Sequence, residues 1–500
     1  MILPLVNKGA ALSPAKSAME KTHRFVAALC LVTVAALPCW AQRESRPSDQ
    51  PQSAGTADAE FLQAADEVMA EMSKILSLPI KEPLKKSVRS REEIRQFLVR
   101  QMRDEKDDTK RYADQKALEA LGLIPKGYPL DQKLLALLTE QIAGLYDPKE
   151  REFFIADWTE PAEQRVIMAH ELTHALQDQY FHVEKWEDEV KLNDDAQLAR
   201  ESVLEGSATI AMVDYLLRRT GKSTRDLSEF DPSLLIGDVK DSPELAQAPM
   251  VIQDEITFPY ISGAAFVERA LKEWNGWPEI HRLFENPPAS TQQILHPDLY
   301  FRGVMPAAVD LAPLTKVVPR GWKKLDENVM GEFAFNEILK QFLAKEQADA
   351  ISPSWKGDRY AIYQRESGMQ TLLLMRLKLA DESAATRFFG AYRNLLEKKD
   401  EKRTVVSRRQ NFFSFTTPDG GVSLRCRGDE CLVAEGGTRE IFDAMTQALH
   451  WPPPGPATPE SDQPGITVMR RDRSPVNASG FRIAALPMNP PPSIAAYSRR

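Results

Sequence analysis

Histidine and cysteine are scarce in this chain: seven histidines and four cysteines in 500 residues. So few cysteines exclude a scaffold built from disulfides, and the lack of any Cys-x-x-Cys pair excludes a cysteine-based metal knuckle. An excess of positive charge is missing too. Lys and Arg number 64 against 72 Asp and Glu, for a net charge of −8, so no basic stripe is expected and nucleic acid is not an expected partner. Internal repeats are absent. Apolar runs are short: Phe25–Leu37 and the stretch after Gly206 both fall below the roughly 20 residues of a membrane span. What is present is a globular composition, 43% hydrophobic and 27% charged, long enough for two or three cores.

The first residues read as a targeting segment. From Met19, basic Lys21 and Arg24 precede the apolar run, and Cys39-Trp40-Ala41 puts small residues at the usual cleavage positions. Residues 1–41 are therefore expected to be a signal peptide with its true start at Met19. The mature chain would be extracytoplasmic, periplasmic or secreted, with no integral span. Cys30 and Cys39 lie in that segment. Cys426 and Cys431, in "CRGDEC", remain and are expected to pair in an oxidising compartment and pin a hairpin.

Composition divides the rest. Residues 42–58 are polar and Pro/Ser-rich, a linker; residues 452–500 form a Pro-rich tail. Residues 59–130 read as helical, either a layer of the next domain or a propeptide, with Ser90 as a helix cap. A mostly helical domain is expected over 131–305, opening with a helix capped by Asp131. Asp147-Pro148-Lys149 then makes the turn of a hairpin. Two long helices follow, one from Thr159 as cap through residue 181 and one over 194–219. Residues 325–450 mix helices with the strands "RYAIYQ", "MQTLLLMRLKLA", "NFFSFTT", "GVSLRCR" and "ECLVAEG", a smaller α+β domain.

The first long helix carries "VIMAHELTHALQDQYF", with two of the seven histidines four residues apart. On an α-helix, positions i and i+4 share a face, so His170 and His174 can converge on one metal ion. Zinc accepts two imidazole nitrogens in this arrangement. Glu171 leaves the helix beside them and suits a general base acting on water. Asp178, a turn beyond His174, is a candidate to orient an imidazole. A catalytic zinc needs a third protein ligand. Glu205, thirty-one positions after His174 on the next helix, is the candidate, and Glu201, one turn earlier on the same face, is its rival. Spacing alone does not separate them.

"AHELTHALQD" resembles the zinc helix of thermolysin-like metallopeptidases, and "EGSA" resembles the Glu-Gly-x-Ala segment that carries the third ligand in aminopeptidases of the same gluzincin group. The resemblance covers roughly residues 140–215 and implies a zincin-like catalytic domain with Zn²⁺ held by His170, His174 and Glu205. Glu201 then stands behind the ligands or faces substrate. It also implies an edge strand just before the zinc helix, at 151–157, that pairs with an extended peptide. A donor for the oxyanion is implied downstream, with His296 and Tyr260 as candidates. Thr209 stands where the thermolysin-like pattern has Asp, which implies a distinct family. No Gly-Ala-Met-Glu-Asn segment precedes the motif, which favours an endopeptidase.

The expectation is thus an α+β protein: a mostly helical zincin-like domain with an edge-strand hairpin, followed by a smaller α+β domain. The expected activity is zinc-dependent hydrolysis of peptide or protein substrates. The alternative from another class is a catalytically silent, zinc-stabilised binding protein of the cell envelope.

Overall fold

Two sheets and the helices around them make an α+β protein, seen in a computed structural model that describes residues 54–104, 108–159, 161–190, 192–235 and 242–453. The expected signal segment, most of the linker and nearly all of the Pro-rich tail lie outside the described residues. Helix α1 (Ala54–Leu76) begins inside the stretch read as linker.

The first sheet has three strands, β1 (Lys85–Arg89), β2 (Gly144–Asp147) and β3 (Glu152–Ala156), in the order β1-β3-β2. The β2–β3 hairpin turns where expected, with Asp147 Oδ1 accepting from Lys149 N at 2.9 Å. β3 is buried on both faces. Phe153 packs on Phe61 of α1 with ring centroids 5.9 Å apart, and Phe154 meets Phe97 of α2 (Arg91–Asp104) edge-on at 5.4 Å. That two-sided burial is why "EFFIA" runs apolar instead of alternating. Each ring contributes about 1.5–3 kcal/mol by burial.

The expected edge strand at 151–157 is corrected by this topology. β3 is central, because β1 pairs with it in parallel on the side away from β2. The sequence "KKSVR" is short and basic and does not look like a strand. It is held by Glu152, which accepts from Ser87 Oγ at 2.5 Å and from Arg89 at 2.9 Å. The edge strand of the hairpin is β2.

Ser90 caps α2 in a reciprocal box: its backbone N–H donates to Glu93 at 2.8 Å and its hydroxyl accepts from Glu93 N at 3.4 Å. After α3 (Asp108–Leu121), helix α4 (Leu130–Gln141) has Pro129 at its cap position with no side-chain cap. Asp131, expected there, lies inside the first turn and faces Arg111 at 3.5 Å. Helix α5 (Pro161–Phe181) and helix α7 (Asp194–Leu217) are joined through the short α6 (Val183–Asp188). Asn193 caps α7 by accepting from Ala196 N. Residues 167–177 of α5 are buried on every side, beneath α1 and against α7.

α7 is pressed against the segment Pro259–Gly263, a π-helical turn. A Cβ on Gly206 would lie 2.3 Å from the carbonyl carbon of Gly263, and one on Gly263 would lie 2.2 Å from Ser202 O. Backbone meets backbone here, so no side chain can give way.

The second sheet is antiparallel throughout: β4 (Trp322–Asn328), β5 (Trp355–Arg365), β6 (Thr371–Leu379), β7 (Thr404–Arg409), β8 (Phe412–Thr417), β9 (Gly420–Arg427) and β10 (Glu430–Gly437). Their order is β4-β5-β6-β10-β9-β8-β7. Helix Glu382–Lys399 covers one face through Phe388, Tyr392 and Leu395, and helix Arg439–Ala448 covers the other through Ile441, Phe442 and Met445. The five strands expected in this region are present, and the two edge strands β4 and β7 were not expected. Cys426 and Cys431 face each other across β9 and β10 and are disulfide-bonded. Among the described residues no helix is long and apolar enough to cross a membrane.

Two expected outcomes follow. Gly206→Ala should destabilise the fold by about 1–3 kcal/mol or more, because overpacking is set here against backbone; a melting temperature equal to wild type would show that α7 can retreat. Thiol titration of denatured, unreduced protein should find neither Cys426 nor Cys431. Replacing both by Ser should cost no more than about 2 kcal/mol, since the bridged loop is small.

Candidate metal centre

Among the described residues, His170, His174 and Glu205 bring one ligand atom each within 4.8 Å of the others, all buried. The two imidazoles leave one face of α5 with ring centroids 4.8 Å apart. Nε2 of His174 lies 3.1 Å from Nε2 of His170, which lies 3.1 Å from Glu205 Oε2; the third side, His174 to Glu205, is 3.4 Å. A tetrahedral ion with arms of 2.0–2.1 Å separates its ligands by about 3.3–3.4 Å. The triangle therefore fits one face of such a tetrahedron. A second acidic group, Asp114, Asp194 and Asp326, surrounds Lys110, which reaches them at 2.6, 3.8 and 2.9 Å and already supplies a cation there.

The triad also needs positive charge. Glu205 is 0% exposed and His170 1%. A carboxylate in such a place is costly unless compensated. Burial raises Glu205 toward neutrality, but His174 and His170 hold its carboxyl well below the usual range. Burial depresses His174, and Glu205 overrides it, lifting that imidazole to about 9. One proton can bridge only one side of the triangle, and Oε1 of Glu205 and Nδ1 of His170 are left buried without a partner. A divalent ion would answer all three inward donors at once, so the residues present fit a metal.

Glu171, also 0% exposed, stands beside the triad and adds to the negative potential on His174. Its Oε2 accepts from the backbone N–H of Tyr146 on β2 at 2.9 Å, and its Oε1 has no partner. The edge strand thus grips one oxygen of the carboxylate and leaves the other available. Tyr260, on the π-helical turn, stacks on the His170 ring at 6.0 Å and 25°. Its place there follows from the Gly206–Gly263 contact.

Other expected residues lie elsewhere. His296 is turned to Glu332, with Nε2 2.8 Å from Oε1, and that bond raises its pKa. Asp178 touches neither imidazole. It accepts from the Tyr146 hydroxyl at 2.8 Å and from Val183 N at 3.1 Å, which fixes β2 on α5. Glu201 is buried but outside the ligand cluster.

Three side chains near the centre escaped the sequence reading. Gln177 meets Nδ1 of His174 at 3.3 Å, and Ser207 meets Gln177 at 2.6 Å. Helical spacing was the signal, since residue 177 is one turn from 174 on the same face. Glu187 on α6 is the third: burial, then the charge of Glu205, pushes its carboxyl up to about 8. No sequence pattern points to it.

In comparison with known proteins, residues 317–446 match a domain of unknown function (DUF8575). That stretch holds the second sheet and none of the triad. No curated protein and no solved structure matches the chain.

Purified protein should bind about one divalent metal ion per chain. His170→Ala, His174→Ala and Glu205→Gln should each remove most of it, and Glu201→Gln should not. Loss of metal in Glu201→Gln with retention in Glu205→Gln would place the third ligand one turn earlier.

Proposed function

We propose that this chain is an exported zinc-dependent metallopeptidase. The observation that carries the reading is Glu171: a buried carboxylate beside three converging ligands, one oxygen held by Tyr146 N and the other without a partner. A structural zinc site takes four protein ligands, whereas a catalytic one takes three and works with a base. The cluster offers three.

His170, His174 and Glu205 would hold the ion. When bound, zinc supplies Lewis acidity toward water and toward a carbonyl oxygen. Glu171 takes the proton of the attacking water on its Oε1 and returns it to the leaving nitrogen. Tyr146 N keeps that carboxylate from rotating toward the ligands. Tyr260, beside His170, is the donor best situated for the oxyanion. His296 keeps its Nε2 on Glu332, and Tyr260, next to His170, is favoured over it. The targeting segment and the Cys426–Cys431 bridge support export.

A second reading is favoured by one observation. All four polar groups of the centre are at most 4% exposed, which suits a metal that braces α5 against α7 in a catalytically silent binding protein.

Glu171→Gln separates the two. It should keep zinc content and melting temperature near wild type while casein or peptide-library cleavage falls at least about 10²–10⁴-fold, the usual contribution of a general base. Equal cleavage by wild type and variant would refute the mechanism. Absence of cleavage by the wild type, with zinc bound, would favour the brace.

A further inference from the structure

An imidazole has two nitrogens, and only one of His174's faces the triad. Nε2 points to His170 and Glu205, while Nδ1 points to Gln177 Oε1 at 3.3 Å. Gln177 Nε2 in turn donates to Ser207 Oγ at 2.6 Å. Ser207 lies on α7, two residues beyond Glu205, and its hydroxyl donates to Leu204 O at 3.0 Å. Gln177 is 2% exposed and Ser207 0%, so these groups have no solvent to turn to.

The chain of bonds has a direction. A hydroxyl carries one hydrogen, and Ser207 gives it to Leu204, so toward Gln177 it presents only lone pairs. Gln177 must then show its NH₂ to Ser207 and its carbonyl oxygen to His174. An acceptor at Nδ1 demands a proton on Nδ1. The neutral imidazole therefore carries its lone pair on Nε2, the nitrogen aimed at the triad. A flipped amide would put a donor against Nδ1, move the proton to Nε2 and close that nitrogen to a metal. His170 has no such support, because its Nδ1 has no partner.

We infer that Gln177, oriented by Ser207, is a positioning residue that fixes His174 in its metal-binding tautomer and ties the helix bearing the two histidines to the helix bearing Glu205. The inference rests on the triad being a metal centre. Its energetic scale is that of other partners of ligating histidines, whose loss typically costs about 10–100-fold in metal affinity.

The test uses the full chain and two readouts that do not depend on catalysis: zinc affinity by competition with a chromogenic chelator, and the visible absorption spectrum of the cobalt(II)-loaded protein. Gln177→Leu keeps the volume and removes the acceptor, so zinc affinity should fall about 10–100-fold and the cobalt spectrum should shift. Gln177→Glu keeps an acceptor at Nδ1, with the Ser207 hydroxyl turning from Leu204 O to donate to the new carboxylate, and should restore affinity to near the wild-type level. Ser207→Ala frees the amide to flip and should give a smaller loss, with the same direction of spectral change. Should Gln177→Leu fail to fold, the contrast between Ser207→Ala and Gln177→Glu decides. Wild-type zinc binding together with unchanged affinity and spectrum in Gln177→Leu, or in Ser207→Ala, would overturn the role of Gln177 and leave the metal centre standing. An equal loss in Gln177→Glu and Gln177→Leu would also overturn it, since packing rather than acceptance would then matter. No zinc uptake by the wild type would overturn the metal centre itself.

Discussion

Removing a carboxylate and two imidazoles from water, within 3.1–3.4 Å of one another, is the constraint on which the rest of this structure depends. Such a group of donors is costly unless positive charge offsets it, and it keeps its shape only if nothing lets the donors drift apart. The fold meets the second condition in three ways. The i, i+4 spacing on α5 sets the two imidazoles. The backbone contact between Gly206 and Gly263 sets how close α7, next to Glu205, comes to the turn that carries Tyr260 onto the His170 ring. The side-chain chain from Ser207 through Gln177 sets the rotation of His174. A Cβ at Gly206 would press on the turn behind the triad, and an apolar residue at Gln177 would release the rotation of His174.

The start of α7 is anchored to the region of the second sheet. Asp195 accepts from the N–H and the hydroxyl of Thr291 at 2.8 and 2.5 Å, and it lies where a Cβ on Gly331 would be, 1.8 Å from its Oδ1. Asp358 at the start of β5 accepts from Met330 N, Gly331 N and Trp355 Nε1 at 2.9, 3.0 and 2.9 Å. Burial pushes Asp195 up to about 7 and Asp358 up to about 6, against the hydrogen bonds that favour their charged forms. Glu332 joins them by accepting from Gln292 at 2.7 Å and from His296 at 2.8 Å. His296 thus has a partner of its own in Glu332. The matched domain is therefore in contact, through Gly331 and through the paired bonds of Asn328 with Asp194, with the helix that carries Glu205.

What was legible in the sequence was what obeys a short period. The two ligand helices, the hairpin turn at Asp147-Pro148 and the five inner strands of the second sheet all carry apolar runs or turn residues of the expected kind, although Thr159, expected to cap α5, turns its hydroxyl to Ala143 O and α7 is capped by Asn193. β1, β4 and β7 did not, and each is an edge strand. "KKSVR", "WKKLDEN" and "TVVSRR" bury little, so their identity lies in backbone pairing that leaves no mark on composition. Taking β3 for an edge was a consequence of missing β1. At the centre, His170, Glu171 and His174 were readable because their spacing along one helix is the geometry, whereas Glu205 was set apart from Glu201 only by the resemblance of "EGSA". Asp178 was assigned to an imidazole because helical spacing allows it. The hydroxyl of Tyr146, brought by a strand, reaches it instead. Helix periodicity reports which residues share a face and not what another element brings to that face.

That same tyrosine ties the β2–β3 hairpin to α5. Its backbone N–H holds Glu171 and its hydroxyl is held by Asp178, so a single residue of β2 touches α5 at two points seven positions apart. β2 is an edge strand, so its position is not enforced by a neighbour on its far side; these two bonds help enforce it. A metal used only as a brace would require nothing of this kind. It would need donors, and the aim of a fourth, non-ligating carboxylate would be free to vary. Here the carboxylate is aimed: one oxygen is fixed by the backbone and the other is kept without a partner, at the cost of a buried, unsatisfied polar atom. Folding alone gives no reason to retain that cost, since a Gln or an apolar side chain would fill the place more cheaply. The cost becomes intelligible when the unpartnered oxygen has a proton to accept, and this is why the aim of Glu171, more than the presence of three ligands, supports the enzymatic reading over the brace.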